Sequence, residues 1–173
     1  MNKIDTHRIY IEPFHVDFTG RVFLGVLGNH LLNAAGNHSQ KRGWGIGALN
    51  ETRHTWVLSR LSIEMMEMPR NYQHCQIRTW VESVMKLFTN RNFAVEDADG
   101  RPLGYARSVW AMIDMETRRP CDLLTLYDGD ILNYVVSEEE NAHRRSIPAS
   151  AVFVPGTAGL IIASEIVKDI LNR

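Results

Sequence analysis

The stretch RVFLGVLGNHLLNAAGNH, residues 21–38, decides the fold. Within it Val22, Val26, His30 and Ala34 recur every four residues beside Phe23, Leu27, Leu31 and Ala35. That period is helical, and the density of apolar side chains predicts a helix that is mostly buried. Gly25, Gly28 and Gly36 lie inside it, and each costs about 1 kcal/mol relative to alanine in a solvated helix. Close approach of another backbone would offset that cost, so the glycines predict a helix gripped by a strongly curved sheet.

Outward from this helix the period changes. Upstream, residues 8–18 alternate loosely through Ile9, Ile11 and Val16, with Pro13 interrupting, as in a strand at a sheet edge or with a bulge. Downstream, a glycine-rich loop at 43–47 leads into residues 55–65, where Val57, Ser59, Leu61, Ile63 and Met65 alternate with Trp56, Leu58, Arg60 and Glu64. After the Met68-Pro69 break, residues 76–84 alternate around Ile77, Thr79 and Val81, with Trp80 opposite. Residues 90–96 and 103–114 are joined by Asp97-Ala98-Asp99-Gly100, whose Asp-Gly suits the positive φ of a tight antiparallel hairpin. One buried helix with four or five long antiparallel strands gives an α+β domain, a single sheet wrapped around a central helix. That is the arrangement of a hotdog fold.

The pattern breaks at residue 137. Residues 1–136 are read as the hotdog domain, and residues 137–150 as a charged linker holding Glu138-Glu139-Glu140 and Arg144-Arg145. Residues 151–173 are read as an apolar helical tail, with Ile161, Ile162, Glu165, Ile166 and Ile170 at helical spacing after Pro155-Gly156.

Composition narrows the function classes. In 173 residues, 19 Lys and Arg against 20 Asp and Glu leave a net charge of −1, so no field of one sign is offered to nucleic acid or anionic lipid. Cys75 and Cys121 lie far apart with no CxxC spacing, and the histidines of the helix recur at eight residues with no acidic partner, so neither a disulfide framework nor a metal site is expected. The N-terminal MNKIDTHRIY carries no apolar run, and a signal peptide or membrane span is not expected; a reducing cytoplasm fits best.

Several clusters stand in a telling order: Leu27-Gly28-Asn29-His30-Leu31, Asn37-His38, Thr55-Trp56-Val57 with Arg60, and Thr79-Trp80-Val81. Arg91, the Asp97 to Gly100 turn, Ala106-Arg107-Ser108-Val109-Trp110 and Thr117-Arg118-Arg119 follow. In order and spacing they resemble the first of the two hotdog repeats of the acyl-acyl-carrier-protein (acyl-ACP) thioesterase family, from about residue 8 to about residue 136. The resemblance implies hydrolysis of the thioester between a fatty acyl chain and the phosphopantetheine arm of acyl carrier protein in fatty acid biosynthesis, with no metal or redox cofactor. The family's catalytic Asp, Asn and His belong to the second repeat, in a D-x-N-x-H-V-N-N type motif, and the residues after Val136 hold nothing like it. Instead Arg144 to Pro148 and Val154 to Ala163 resemble the C-terminal end of a ThiF-type tRNA threonylcarbamoyladenosine dehydratase, which would make the chain a fusion remnant.

Thioester hydrolysis needs a carboxylate to activate water or attack the carbonyl, and donors for the oxyanion that forms. Asp17, in a segment resembling a degraded D-x-x-G-H-V element with Arg21 at the histidine position, is the candidate carboxylate; capping the helix or pairing with Arg21 is its structural alternative. Asn33 and His38 are the further catalytic candidates, in a stripe where Asn29, Asn33 and Asn37 repeat at every fourth residue; buried hydrogen bonding is the alternative there. Trp56, Trp80 and Trp110 are candidates for an acyl-chain pocket, although core packing explains them equally well. Two functions remain open: a thioesterase, or a non-catalytic acyl-binding or dimerisation module left by truncation or fusion. Either exposes a sheet edge that predicts a homodimer or pairing with a second hotdog.

Overall fold

The computed structural model describes residues 2–127 and 129–136, so the expected linker and tail helix lie outside the described residues. The chain runs β1 (Asp5–Tyr10), a 3-10 turn (Pro13–His15), α1 (Leu24–Gln40), α2 (Ile46–Glu51), β2 (His54–Met65), β3 (His74–Val84), β4 (Phe88–Asp97), β5 (Pro102–Asp114), α3 (Leu123–Leu126) and a 3-10 turn (Asp130–Tyr134).

The helix α1 starts three residues later than its period predicts, and for a backbone reason. Val22 is held extended by a bridge to Val16 and by donating its N–H to the Pro69 carbonyl, so helical hydrogen bonding begins only beyond it. Leu27, Leu31, Ala34, Ala35 and His38 then form one buried stripe, while Leu24, Asn29, Asn33 and Asn37 are exposed. The helix is therefore amphipathic rather than mostly buried.

Five antiparallel strands curl around that stripe in the order β1-β3-β4-β5-β2. Ile9, Ile77, Phe93, Val95 and Ala106 meet Leu27 and Leu31 in the main core. Full burial of a Leu, Ile or Phe contributes roughly 1.5–3 kcal/mol, so this contact fixes the helix on the sheet. The loop at 97–100 behaves as its Asp-Gly predicts. Gly100 takes φ +86°, and the Asp97 carboxylate accepts from the Asp99 N–H at 3.1 Å and the Arg101 N–H at 2.9 Å.

Three local expectations change. The alternation of β2 is re-phased by a bulge, since Leu58 pairs with Trp110 but Arg60 pairs with Val109, leaving Ser59 extra. An extra residue moves every later side chain to the other face. Trp56 thus shares the concave face with Leu61, Ile63 and Met65, whereas Val57 is exposed. The glycine-rich loop contains the short helix α2, which covers one end of the domain through Leu49, packed with Met112 and Leu123. The glycines of α1 are not points of close approach: a Cβ would meet nothing within 4 Å at Gly25 or Gly36, and only Leu61 at 3.9 Å at Gly28. The close approaches are at Gly104, where a Cβ would run into the Met65 sulfur and stand 2.6 Å from the Glu64 carbonyl oxygen, and at Gly45, where it would run into Gln40.

The convex face of the sheet is covered too. After α3 the chain crosses back, Val135 bridges Val81, and Val136 packs on Trp80 and Ala94.

Candidate functional site

A cavity of about 480 Å³ lies between the C-terminal half of α1, the 44–46 turn and the concave face of the sheet. Its size falls in the range of ligand sites. Of the lining residues, Ala35, Gly45, Val81, Thr89, Arg91 and Ile131 are buried, and Val81, Thr89, Arg91 and Ile131 form the floor opposite α1. Asn33, Gly36, Asn37, Gln40 and Ile46 are exposed and mark its mouth.

Trp44, Trp56 and Trp110 form the walls. Their polar atoms are engaged in ways that keep the ring faces apolar. The Trp56 indole N–H donates to the Trp44 carbonyl at 3.2 Å, and the Trp110 indole N–H donates to Ser108 Oγ at 2.7 Å. Trp44 is braced by the Tyr134 ring, with centroids 4.6 Å apart and planes at 81°. The result is an apolar slot with few polar groups, the form that suits an extended hydrocarbon.

One cation sits at the floor. Arg91, 6% exposed, donates to Thr79 Oγ1 at 3.1 Å and Ser39 Oγ at 3.4 Å. Among the described residues no carboxylate pairs with it. Burial first, and the neighbouring Arg42 charge second, push its pKa down to about 9. Arg42 has firmer partners, because it donates to the His38 carbonyl at 2.9 Å at the C-terminal end of α1 and pairs with Asp5 at 3.5 Å.

The three polar residues singled out in the sequence do not converge. Asp17 closes a turn that precedes α1: its Oδ1 accepts from the Thr19 hydroxyl at 2.6 Å, the Thr19 N–H at 2.7 Å and the Arg21 N–H at 3.3 Å. The Thr19 hydrogen bond is the main cause holding its pKa below the usual carboxylate value. Asp17 does not cap the helix, whose N-cap is Phe23. His38 is 1% exposed, and its Nε2 lies 3.1 Å from the Lys3 carbonyl oxygen. A carbonyl only accepts, so Nε2 carries the proton and Nδ1 is left a buried acceptor with no hydrogen bond. Burial, reinforced by the Arg91 charge, pushes its pKa down to about 3. Of the three, only Asn33 lines the cavity, next to Asn37, whose Nδ2 is 3.3 Å from His7 Nδ1.

Of the three tryptophans, Trp56 and Trp110 line the cavity, whereas Trp80 lies on the convex face against Ala94 and Val136. Alternation had already set Trp80 opposite Val81, and that alone separates it from the slot. Trp44 takes the third position, and the flanking glycines had hidden it in a presumed loop. Arg91 had a legible signal, since Thr89, Arg91, Phe93 and Val95 share one face of β4 and a lone cation in such a row asks for a reason. Among the described residues, none that lines the cavity is Asp, Glu or His, and no three potential ligands cluster to hold a metal ion. Among the described residues no helix is long and apolar enough to cross a membrane.

Residues 5–127 match the model of the acyl-ACP thioesterase N-terminal domain. The solved structure of an acyl-ACP thioesterase from Bacteroides thetaiotaomicron is 52% identical, with a TM-score of 0.74 over 88% of this chain and 57% of that one. An oleoyl-acyl carrier protein thioesterase from Arabidopsis thaliana is 27% identical over 119 residues, which are 65% of this chain and 32% of the plant protein. A DHNA-CoA thioesterase from Staphylococcus aureus, 14% identical, shares the fold with a TM-score of 0.71 over 83% of this chain and 97% of that one. The chain thus spans about a third of the plant protein and little more than half of the Bacteroides protein. The hotdog sheet, its central helix and the match along residues 5–127 place this chain in the acyl-ACP thioesterase family, of which it carries the N-terminal domain.

Proposed function

We propose that this chain serves the hydrolysis of fatty acyl-ACP thioesters, releasing free fatty acid, and that its own part is to hold the acyl chain. The observation that carries this reading is the apolar slot walled by Trp44, Trp56 and Trp110 and open at Asn33. An acyl chain entering there would leave its thioester at the mouth. There the Asn33, Asn37 and Gln40 amides are donors within the lining, and Asn33 is the catalytic candidate we retain, as a donor to the thioester carbonyl.

Among the described residues, no carboxylate that could activate water lines the slot. We assign it to a second hotdog, docked along β2, the longer of the two edge strands with 12 residues against 6 for β1. The partner of that assembly is acyl carrier protein bearing the fatty chain. Two free cysteines suit a reducing compartment, and we place the protein in the cytoplasm.

Tryptophan fluorescence with palmitoyl-ACP, with free thiol followed in the same samples, tests this reading. Trp56→Ala and Trp110→Ala are expected to weaken binding at least tenfold and Trp80→Ala to leave it unchanged, because only the first two line the slot. Asp17→Ala is expected to leave both binding and any turnover unchanged. Equal affinity in all three tryptophan variants would remove the slot from the function, and turnover abolished by Asp17→Ala would make Asp17 the carboxylate after all.

A further inference from the structure

The guanidinium of Arg91 is an odd group to find at the floor of an apolar slot. It is desolvated, it is held by two neutral hydroxyls, and among the described residues the nearby carboxylate, Asp5, is committed elsewhere: it pairs with Lys41 at 2.9 Å and with Arg42 at 3.5 Å. His38, also close, is neutral and offers no compensation. Thr79 Oγ1 accepts from Arg91 while donating to the Asn92 carbonyl at 3.1 Å, so the hydroxyl is fixed in place and holds the cation where it is.

We propose that Arg91 is a specificity-determining residue, an electrostatic stop that sets how long an acyl chain the slot accepts. The inference rests on the acyl-binding reading above. Methylenes are accommodated along Trp44, Trp56 and Trp110, since each trades water for apolar contact. A chain long enough to reach Arg91 strips the cation of what hydration remains and supplies no acceptor in return. Covering an unpaired charge costs more than burying one further methylene returns. The favoured chain ends short of Arg91. The limit is thus chemical: a neutral side chain of similar volume would fill the same space without the penalty.

The test uses the full chain and S-alkyl pantetheine thioethers, from octyl to octadecyl. These are not hydrolysed, and their neutral head cannot pair with Arg91. Dissociation constants read from tryptophan fluorescence are expected to fall with chain length to a limit in the wild type and then rise. Arg91→Met, close to arginine in length and apolar, is expected to move that limit to longer chains, with at least tenfold tighter binding of the first chain beyond the wild-type limit. Arg91→Lys is expected to keep the limit. If Arg91→Met does not fold, Arg91→Gln removes the charge while retaining a donor for Thr79 and Ser39, and the same shift is expected. An unchanged limit in a folded Arg91→Met or Arg91→Gln overturns the proposal and makes the floor steric. Free fatty acids binding far more tightly than the thioethers, with that advantage lost in Arg91→Met, also overturns it, because Arg91 would then be an anion site. A wild type that binds no thioether of any length defeats the acyl-binding reading itself.

Discussion

His38 separates a structural from a catalytic reading of the polar stripe on α1, and it does so through pH. In the folded chain its pKa is pushed down to about 3, against 6.5 for the free side chain, chiefly because the ring is buried. The sign follows from that direction. Between these values the unfolded chain binds a proton at His38 and the folded chain does not, so the stability contributed by keeping the ring neutral is complete above pH 6.5 and is lost as pH falls toward about 3. The slope is about 1.4 kcal/mol per pH unit, and the whole interval amounts to roughly 5 kcal/mol as an upper bound. Carboxylates such as Asp17 and Asp97, also held below their ordinary values, lose stability in the same direction at the acid end. The comparison must therefore be with His38→Gln, whose amide nitrogen can still donate to the Lys3 carbonyl. Urea denaturation at a series of pH values between neutrality and about 4 should show the wild type losing about 1.4 kcal/mol per unit more than the variant. Equal slopes, or a His38 ring proton resonance that titrates near 6.5, would refute the argument and return His38 to the list of possible general bases.

Gly104→Ala should destabilise by about 1–3 kcal/mol, because the added Cβ meets the Glu64 carbonyl and the Met65 sulfur; Gly28→Ala should stabilise by up to about 1 kcal/mol, having only Leu61 at 3.9 Å to meet. Thermal unfolding of both variants checks the pair, and a destabilised Gly28→Ala would restore the gripped-helix expectation. Light scattering at micromolar concentration should give a dimer that Val57→Lys, on the exposed part of edge strand β2, converts to monomer; a monomeric wild type would remove the edge as a docking surface.

Much of the fold was legible because its signals are local. The period of Leu27, Leu31 and Ala35, the Asp-Gly turn ending at Gly100 and the alternation of β3 each report backbone chemistry within a few residues, and the α+β hotdog follows from their order. What stayed hidden was relational. The bulge at Ser59 is visible only as a mismatch with Val109 across the ladder, and it decides which side of β2 faces the cavity. The close approach at Gly104 depends on Glu64 and Met65, some forty positions earlier in the chain, so a glycine count pointed to α1 instead. The candidate site shared that fate in part: Trp56 and Trp110 are legible as slot candidates and Arg91 as a lone cation in the row Thr89, Arg91, Phe93 and Val95, but Trp44 joins them only when α1, the 44–46 turn and β4 close on one another.

Under the proposed function, that closure also gives a physical reason for the cavity to hold rather than to cut. A carboxylate within an apolar slot beside the desolvated Arg91 would pair with it, satisfying the cation and quenching the base together. The lack of acids in the described lining leaves Arg91 under-compensated, and under the proposed function the water-activating group then stands outside it, at the surface that meets the mouth at Asn33 and Asn37. On this reasoning an aspartate placed at Thr89, on the floor next to Arg91, should form an ion pair that abolishes the length limit without creating turnover. Under the proposed function, division of labour between a binding hotdog and a cutting one then follows from dielectric, since one apolar chamber cannot keep a cation without a counter-charge and a reactive carboxylate apart.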